Sequence, residues 1–92
     1  MKPLNELKMQ LESRSINEGY ARVAVSSFVS QLDPTIEELN DIKTAVSEAV
    51  TNCIVHAYRD TIGLITLKCR LLPGGTLDIV VRDKGCGIEN IE

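Results

Sequence analysis

Ile65-Thr66-Leu67-Lys68-Cys69-Arg70-Leu71, the turn Pro73-Gly74-Gly75, and Leu77-Asp78-Ile79-Val80-Val81 together read as an antiparallel hairpin. In the first arm, apolar Ile65, Leu67, Cys69 and Leu71 alternate with Thr66, Lys68 and Arg70; in the second, Leu77, Ile79 and Val81 alternate with Asp78, Val80 and Arg82. Successive side chains of a strand point to opposite sides, so each arm offers one face to a core. The same alternation, Leu7, Met9 and Leu11 against Lys8, Gln10 and Glu12, predicts an earlier strand.

Two helical patterns lie between. Ser15-Ile16-Asn17-Glu18 has the form of a capping box, and Ala21, Ala24, Val25, Phe28 and Leu32 follow at helical spacing, which predicts a helix from about Ile16 to Gln31 with Arg22 and Ser26 off its apolar stripe. Pro34 disfavours helix at Asp33. Either Asp33 or Thr35, the latter with Glu38 three residues on, is placed to cap a second helix over about Ile36–Tyr58. Its apolar face is Ile42, Val46, Ala49, Val50, Cys53 and Ala57, while Glu48, Asn52, Val55, His56 and Arg59 fall on another side. The order strand, helix, helix, strand, strand implies an α+β fold, a two-layer sandwich with helices over one sheet face.

The chain has 92 residues, 43% hydrophobic and 25% charged, which suits one small globular domain or a piece of one. Net charge is −3, and no run of Lys or Arg is longer than two, so neither direct nucleic-acid binding nor an anionic membrane surface is expected. No apolar stretch is long enough to span a bilayer, and Lys2, Asn5, Glu6 and Lys8 interrupt any signal-peptide core, so a cytoplasmic protein is the expectation. Cys53, Cys69 and Cys86 are odd in number and lack C-x-x-C spacing, which argues against a disulfide framework and a zinc site. The first two read as small core residues, and Cys86 as an exposed thiol.

Chemistry concentrates on the second helix. A helix advances about 100° per residue, so Glu48 and Asn52, at i and i+4, share a face. A carboxylate accepts a proton or organises water, and a neutral amide oxygen ligates a hard cation such as Mg²⁺ without adding a second charge. Downstream, Asp83-Lys84-Gly85-Cys86-Gly87 is an aspartate leading into a Gly-x-Gly loop. A lone histidine such as His56, at a helix end, reads as a structural residue or a cap.

Ser47-Glu48-Ala49-Val50-Thr51-Asn52 with His56 and Tyr58, followed by Asp83-x-Gly85-x-Gly87, resembles the N box and first glycine box of the GHKL (Bergerat-fold) ATPase superfamily. More narrowly, Asn17-Glu18-Gly19-Tyr20-Ala21-Arg22-Val23 and Gln31-Leu32-Asp33-Pro34-Thr35 resemble the anti-sigma F family of spore-forming bacteria, which are serine kinases. The resemblance covers essentially the whole chain, 1–92, as the N-terminal portion of a single GHKL domain. It implies binding of ATP or ADP with Mg²⁺, sequestration of the sporulation sigma-F factor, phosphorylation of a serine on an anti-anti-sigma factor, and a homodimer. By the same resemblance Glu48 is the general base, Asn52 the Mg²⁺ ligand reaching the phosphates, and Asp83 the acceptor for the adenine amino group. Gly85 and Gly87 let the backbone approach the nucleotide, and Arg22 contacts both protein partners. His56 is placed in the nucleotide-binding helix rather than as a phospho-accepting residue. Glu92 follows just after the first glycine box, so the second glycine-rich box, the lid and the closing strands are absent, and a truncated or partly ordered form of a longer protein is expected. A sigma-binding module without chemistry and a stress-response anti-sigma kinase are the alternatives; a histidine kinase ATPase domain fits the Arg22 and Asp33-Pro34 segments less well.

Overall fold

The computed structural model describes residues 2–57, 61–83 and 87–91. Strand β1 (Asn5–Glu12) leads to helix α1 (Asn17–Val29), a 3₁₀ turn (Ser30–Leu32) and helix α2 (Ile36–Asn52), which continues as a π turn (Cys53–Ala57). Strands β2 (Leu64–Leu72), β3 (Thr76–Asp83) and β4 (Gly87–Ile91) complete an antiparallel sheet of order β1-β2-β3-β4.

The alternation in the strands sets the register. Leu7, Met9 and Leu11 stand opposite Cys69, Leu67 and Ile65, which in turn align Cys69 with Ile79 and Leu67 with Val81. A shift of one residue would turn every one of these side chains to the other face. Leu11, Ile65, Leu67, Cys69, Ile79 and Val81 are buried and form one cluster with Ala21, Val25, Phe28 and Val29 of α1 and Val46, Ala49 and Val50 of α2, so the chain is α+β with its core between helices and sheet. Cys53 and Cys69 are both buried in the core, as expected; Cys86 lies outside the described residues. Burial, with the Asp78 charge second, pushes the Cys69 thiol up to about 11, so it stays protonated at neutral pH. On the opposite face Arg70 Nε donates to Asp78 Oδ2 at 2.9 Å between directly paired residues of β2 and β3.

The turn between those strands bears out the hairpin. Gly74 and Gly75 adopt φ of 89° and 81°, conformations L side chains resist, and the Gly75 N–H donates to Leu72 O at 3.2 Å. At the far end Ser13 N–H donates to Gly63 O, and Gly63 N–H to Ser13 Oγ, both at 2.9 Å, which clasps the exit of β1 to the entry of β2.

Several expectations are corrected. No side chain caps α1: its N-cap is Ile16, and the entry is held by Asn17 N–H to Arg14 O at 2.9 Å and Asn17 Nδ2 to Glu12 O at 2.9 Å. The α-helix ends at Val29 rather than Gln31, since Ser30 Oγ and the Gln31 amide donate back to Ser27 O (2.6 Å) and Phe28 O (2.7 Å) and tighten the last turn to 3₁₀. Helix α2 ends at Asn52, before the expected Tyr58, and Tyr58 and Arg59 lie outside the described residues. Gly87 opens strand β4, paired with Asp83, where a loop was expected.

Of the two candidate caps for α2, Thr35 is the one used. Its Oγ1 accepts from Glu38 N–H at 3.0 Å, and Glu38 Oε1 accepts from Thr35 N–H at 2.9 Å, a reciprocal capping box. Asp33 instead takes a left-handed conformation, φ 50°, that closes the 3₁₀ turn. Hydrogen bonds from the Thr35 backbone and then its hydroxyl hold the Glu38 carboxyl below the usual glutamate range. A carboxyl lowered by folding stabilises the fold above its unfolded pKa, and that contribution disappears as pH falls through the lowered folded value. Thr35→Ala is expected to cost about 0.5–2 kcal/mol in urea unfolding and to move the Glu38 titration, followed by NMR, back toward the ordinary glutamate range. An unchanged midpoint and an unmoved titration would show the box to be idle.

Candidate functional site

The capping box fixes where α2 begins, and burial of Val46, Ala49, Val50 and Cys53 fixes which way it faces. Glu48 and Asn52 are therefore turned outward and exposed, both inside the α-helical span, so their shared face stands. The π turn begins at the next residue. A wider turn adds a residue per rung, so the α-helical phase of Asn52 does not carry on to His56, which is exposed together with Val55.

Glu48 lines a groove between the two helices. The groove, about 380 Å³, is bounded by Glu18 and Arg22 of α1 and by Asn40, Lys43, Thr44, Ser47 and Glu48 of α2. Arg22 and Glu48, which the resemblance implies as the partner contact and the base, thus share one cavity. Glu18 joins the helices across it: one carboxylate oxygen accepts from Thr51 Oγ1 at 3.1 Å, and the other lies 3.8 Å from Arg22 Nε. The pair with Arg22 is long and exposed, which leaves the guanidinium available to other anions. The Ser47 hydroxyl is buried at this groove without a hydrogen-bond partner among the described residues.

Asp83 reaches its position by strand parity. It follows Ile79 and Val81 at steps of two, so its side chain stands on the core face at the end of β3, and it is buried. The π turn after Asn52 contacts β3, which brings the end of the Glu48–Asn52 helix beside the strand that carries Asp83. Gly85 lies outside the described residues, and Gly87 faces Asp83 across the β3–β4 pair. Neither Asn52 nor Asp83 lines the helix groove, so of the expected site residues the groove gathers Arg22 and Glu48 alone.

The donor set suits a nucleotide with a hard metal ion. Among the described residues no three His, Cys, Asp or Glu side chains gather as a metal site, whereas Asn52 offers one exposed neutral oxygen. Mg²⁺ is held in this manner when phosphates and water supply its remaining ligands. A buried carboxylate such as Asp83 can accept from hydrogen-bond donors at the end of β3.

Glu18, Lys43, Ser47 and Thr51 were not expected in the site. Ser15-x-x-Glu18 reads as a cap, and the Glu18–Thr51 contact spans 33 residues, so no local periodicity reveals it.

Residues 11–92 match the family described as the histidine kinase-like ATPase domain. The chain is 53% identical over 92 residues, all of its length, to a protein named anti-sigma F factor from Thermoanaerobacter sp. (strain X514), and covers 64% of that relative. It is 53% identical over 88 residues to the anti-sigma F factor of Caldanaerobacter subterraneus subsp. tengcongensis and 51% identical over 88 residues to that of Clostridium kluyveri (strain ATCC 8527), covering 96% of this chain and 61% of each relative. The chain thus spans just under two thirds of the length of the curated relatives it matches. Among the described residues no helix is long and apolar enough to cross a membrane.

Proposed function

The chain belongs to the histidine kinase-like ATPase family, and from that membership we propose that it is the N-terminal part of a Bergerat-fold, two-layer domain in a cytoplasmic anti-sigma serine kinase. The whole protein binds ATP or ADP with Mg²⁺, sequesters the sigma-F factor, and phosphorylates a serine on an anti-anti-sigma factor; it works as a homodimer. The observation that carries this reading is the groove shared by Arg22 and Glu48, which suits docking a protein at the first and deprotonating its hydroxyl at the second.

Glu48 is the general base: its carboxylate would take the serine Oγ proton as the Oγ–P bond forms and the bond from the γ-phosphorus to the β-phosphate oxygen breaks, releasing ADP. Asn52 supplies an oxygen to the metal, Asp83 accepts from the adenine amino group, and Gly85 and Gly87 keep side chains out of the nucleotide's path. Bound Mg-ATP supplies the transferable phosphoryl group and the positive charge that stabilises its transfer. Arg22 holds the protein partner.

Incubation of the full-length protein with γ-labelled ATP, Mg²⁺ and the anti-anti-sigma factor is expected to label a serine on the partner, and chelation of the metal to abolish labelling. Sigma-F binding without any labelling would leave a binding module rather than a kinase.

A further inference from the structure

Lys43 is a cation that this mechanism does not use. It is half-buried, and among the described residues it makes neither an ion pair nor a hydrogen bond. It lines the groove that holds Glu48 and also a second cavity of about 520 Å³, with Gly19, Arg22, Val23, Ser26 and Ser27. The two cavities share Arg22 and Lys43, yet their charge differs: two carboxylates, Glu18 and Glu48, line the first, and none lines the second. A lysine without an ion-pair partner among the described residues, beside a second cation and a wall free of carboxylates, favours an incoming anion.

The outer side of α1 adds a second observation. Ile16, Tyr20 and Val23, at i, i+4 and i+7, are 72%, 61% and 70% exposed and form an apolar stripe opposite the buried Ala21, Val25 and Phe28. Val23 lines the second cavity, so the stripe adjoins the two cations. A phosphate group gains nothing from such a stripe, whereas a folded protein partner does. Asn52 and Asp83, the nucleotide residues of the proposed site, line neither cavity.

We propose that Lys43 is a second docking cation beside Arg22, and that the acid-free cavity seats a carboxylate of the serine-bearing partner whose neighbouring apolar side chain packs on Tyr20 and Val23. This rests on the kinase reading above and deepens it. The gradient from cations to carboxylates along the groove orients the partner: its acidic group is drawn to Arg22 and Lys43 and repelled from the Glu48 end, where its serine enters.

The test is steady-state phosphotransfer by the full-length protein to the serine-bearing partner at saturating Mg-ATP, with ATP affinity measured alongside by calorimetry. Lys43→Glu is expected to raise the KM for the partner about tenfold and Lys43→Gln less, while Lys43→Arg restores it, with kcat and ATP affinity at parental values. Val23→Asp, on a side chain whose exposure keeps it out of the core, is expected to raise the same KM. A parental KM in Lys43→Glu, or a loss of ATP affinity in step with the KM, overturns the proposal. Should the parental protein transfer no phosphate, the kinase reading fails by itself. Equilibrium binding of the partner to the same variants then decides the groove, weakening of about tenfold supporting it and unchanged binding rejecting it.

Discussion

Glu48→Gln in the full-length protein lowers serine phosphorylation by about 10²–10⁴-fold while nucleotide binding persists, the loss expected when a positioned base is removed. The substitution keeps the side chain's size and one of its oxygens but takes away its capacity to accept a proton. Glu48 is exposed and is not a member of the core cluster, so the fold should change by no more than about 0.5 kcal/mol. Asn52 and Asp83, which bind nucleotide in the proposed mechanism, do not line the helix groove that holds Glu48, and the affinity for Mg-ATP is expected to hold. Phosphoserine formation in single turnover, set beside the nucleotide dissociation constant, separates the two. Transfer at the parental rate would remove Glu48 from the chemistry.

Leu67→Ala is expected to be the costliest single truncation of the sheet. Leu67 is fully buried on β2, an inner strand, paired with Met9 of β1 on one side and Val81 of β3 on the other, so its truncation leaves a space inside the core. Losing a buried leucine costs about 2–5 kcal/mol, against a typical total stability of roughly 5–15 kcal/mol. Ile62→Ala, at a side chain 49% exposed, should stay within about 0.5 kcal/mol of the parent. Urea unfolding of the two variants checks the contrast. Equal midpoints would mean that burial does not set the cost.

Where one residue's neighbours along the chain determine its environment, the sequence was sufficient. Leu67 illustrates this: the alternation of Ile65, Leu67 and Cys69 placed it on the core face, and the register bears that out. Glu48 and Asn52 were legible as a pair for the same reason, since both lie in one helix with a buried stripe opposite. Strand β4 was not legible. Gly87-Ile88-Glu89-Asn90-Ile91 is five residues long, begins with a glycine, and becomes a strand through its pairing with β3. The π turn escaped because apolar spacing does not distinguish one kind of helical rung from another over five residues. At Ser15 the capping pattern was present, but Glu18 is engaged by Thr51 and Arg22, a tertiary contact overriding a local one. The groove itself, where Arg22, Lys43 and Glu48 meet, exists only once two helices pack, and it has no signature in either helix alone.

The clasp between Ser13 and Gly63 bears on the order in which the chain assembles. It joins residues 50 apart, and β1 pairs with β2 across a still longer separation, Asn5 with Leu71, whereas β2 and β3 meet across a short turn. Closing a loop of that length costs entropy that grows as the logarithm of its length, and contacts between distant residues form late. The hairpin is therefore the expected nucleus and β1 the last strand to dock. Until it docks, the unpaired edge of β2 is open to any other strand, which makes the speed of β1 closure the chain's protection against mispairing during folding.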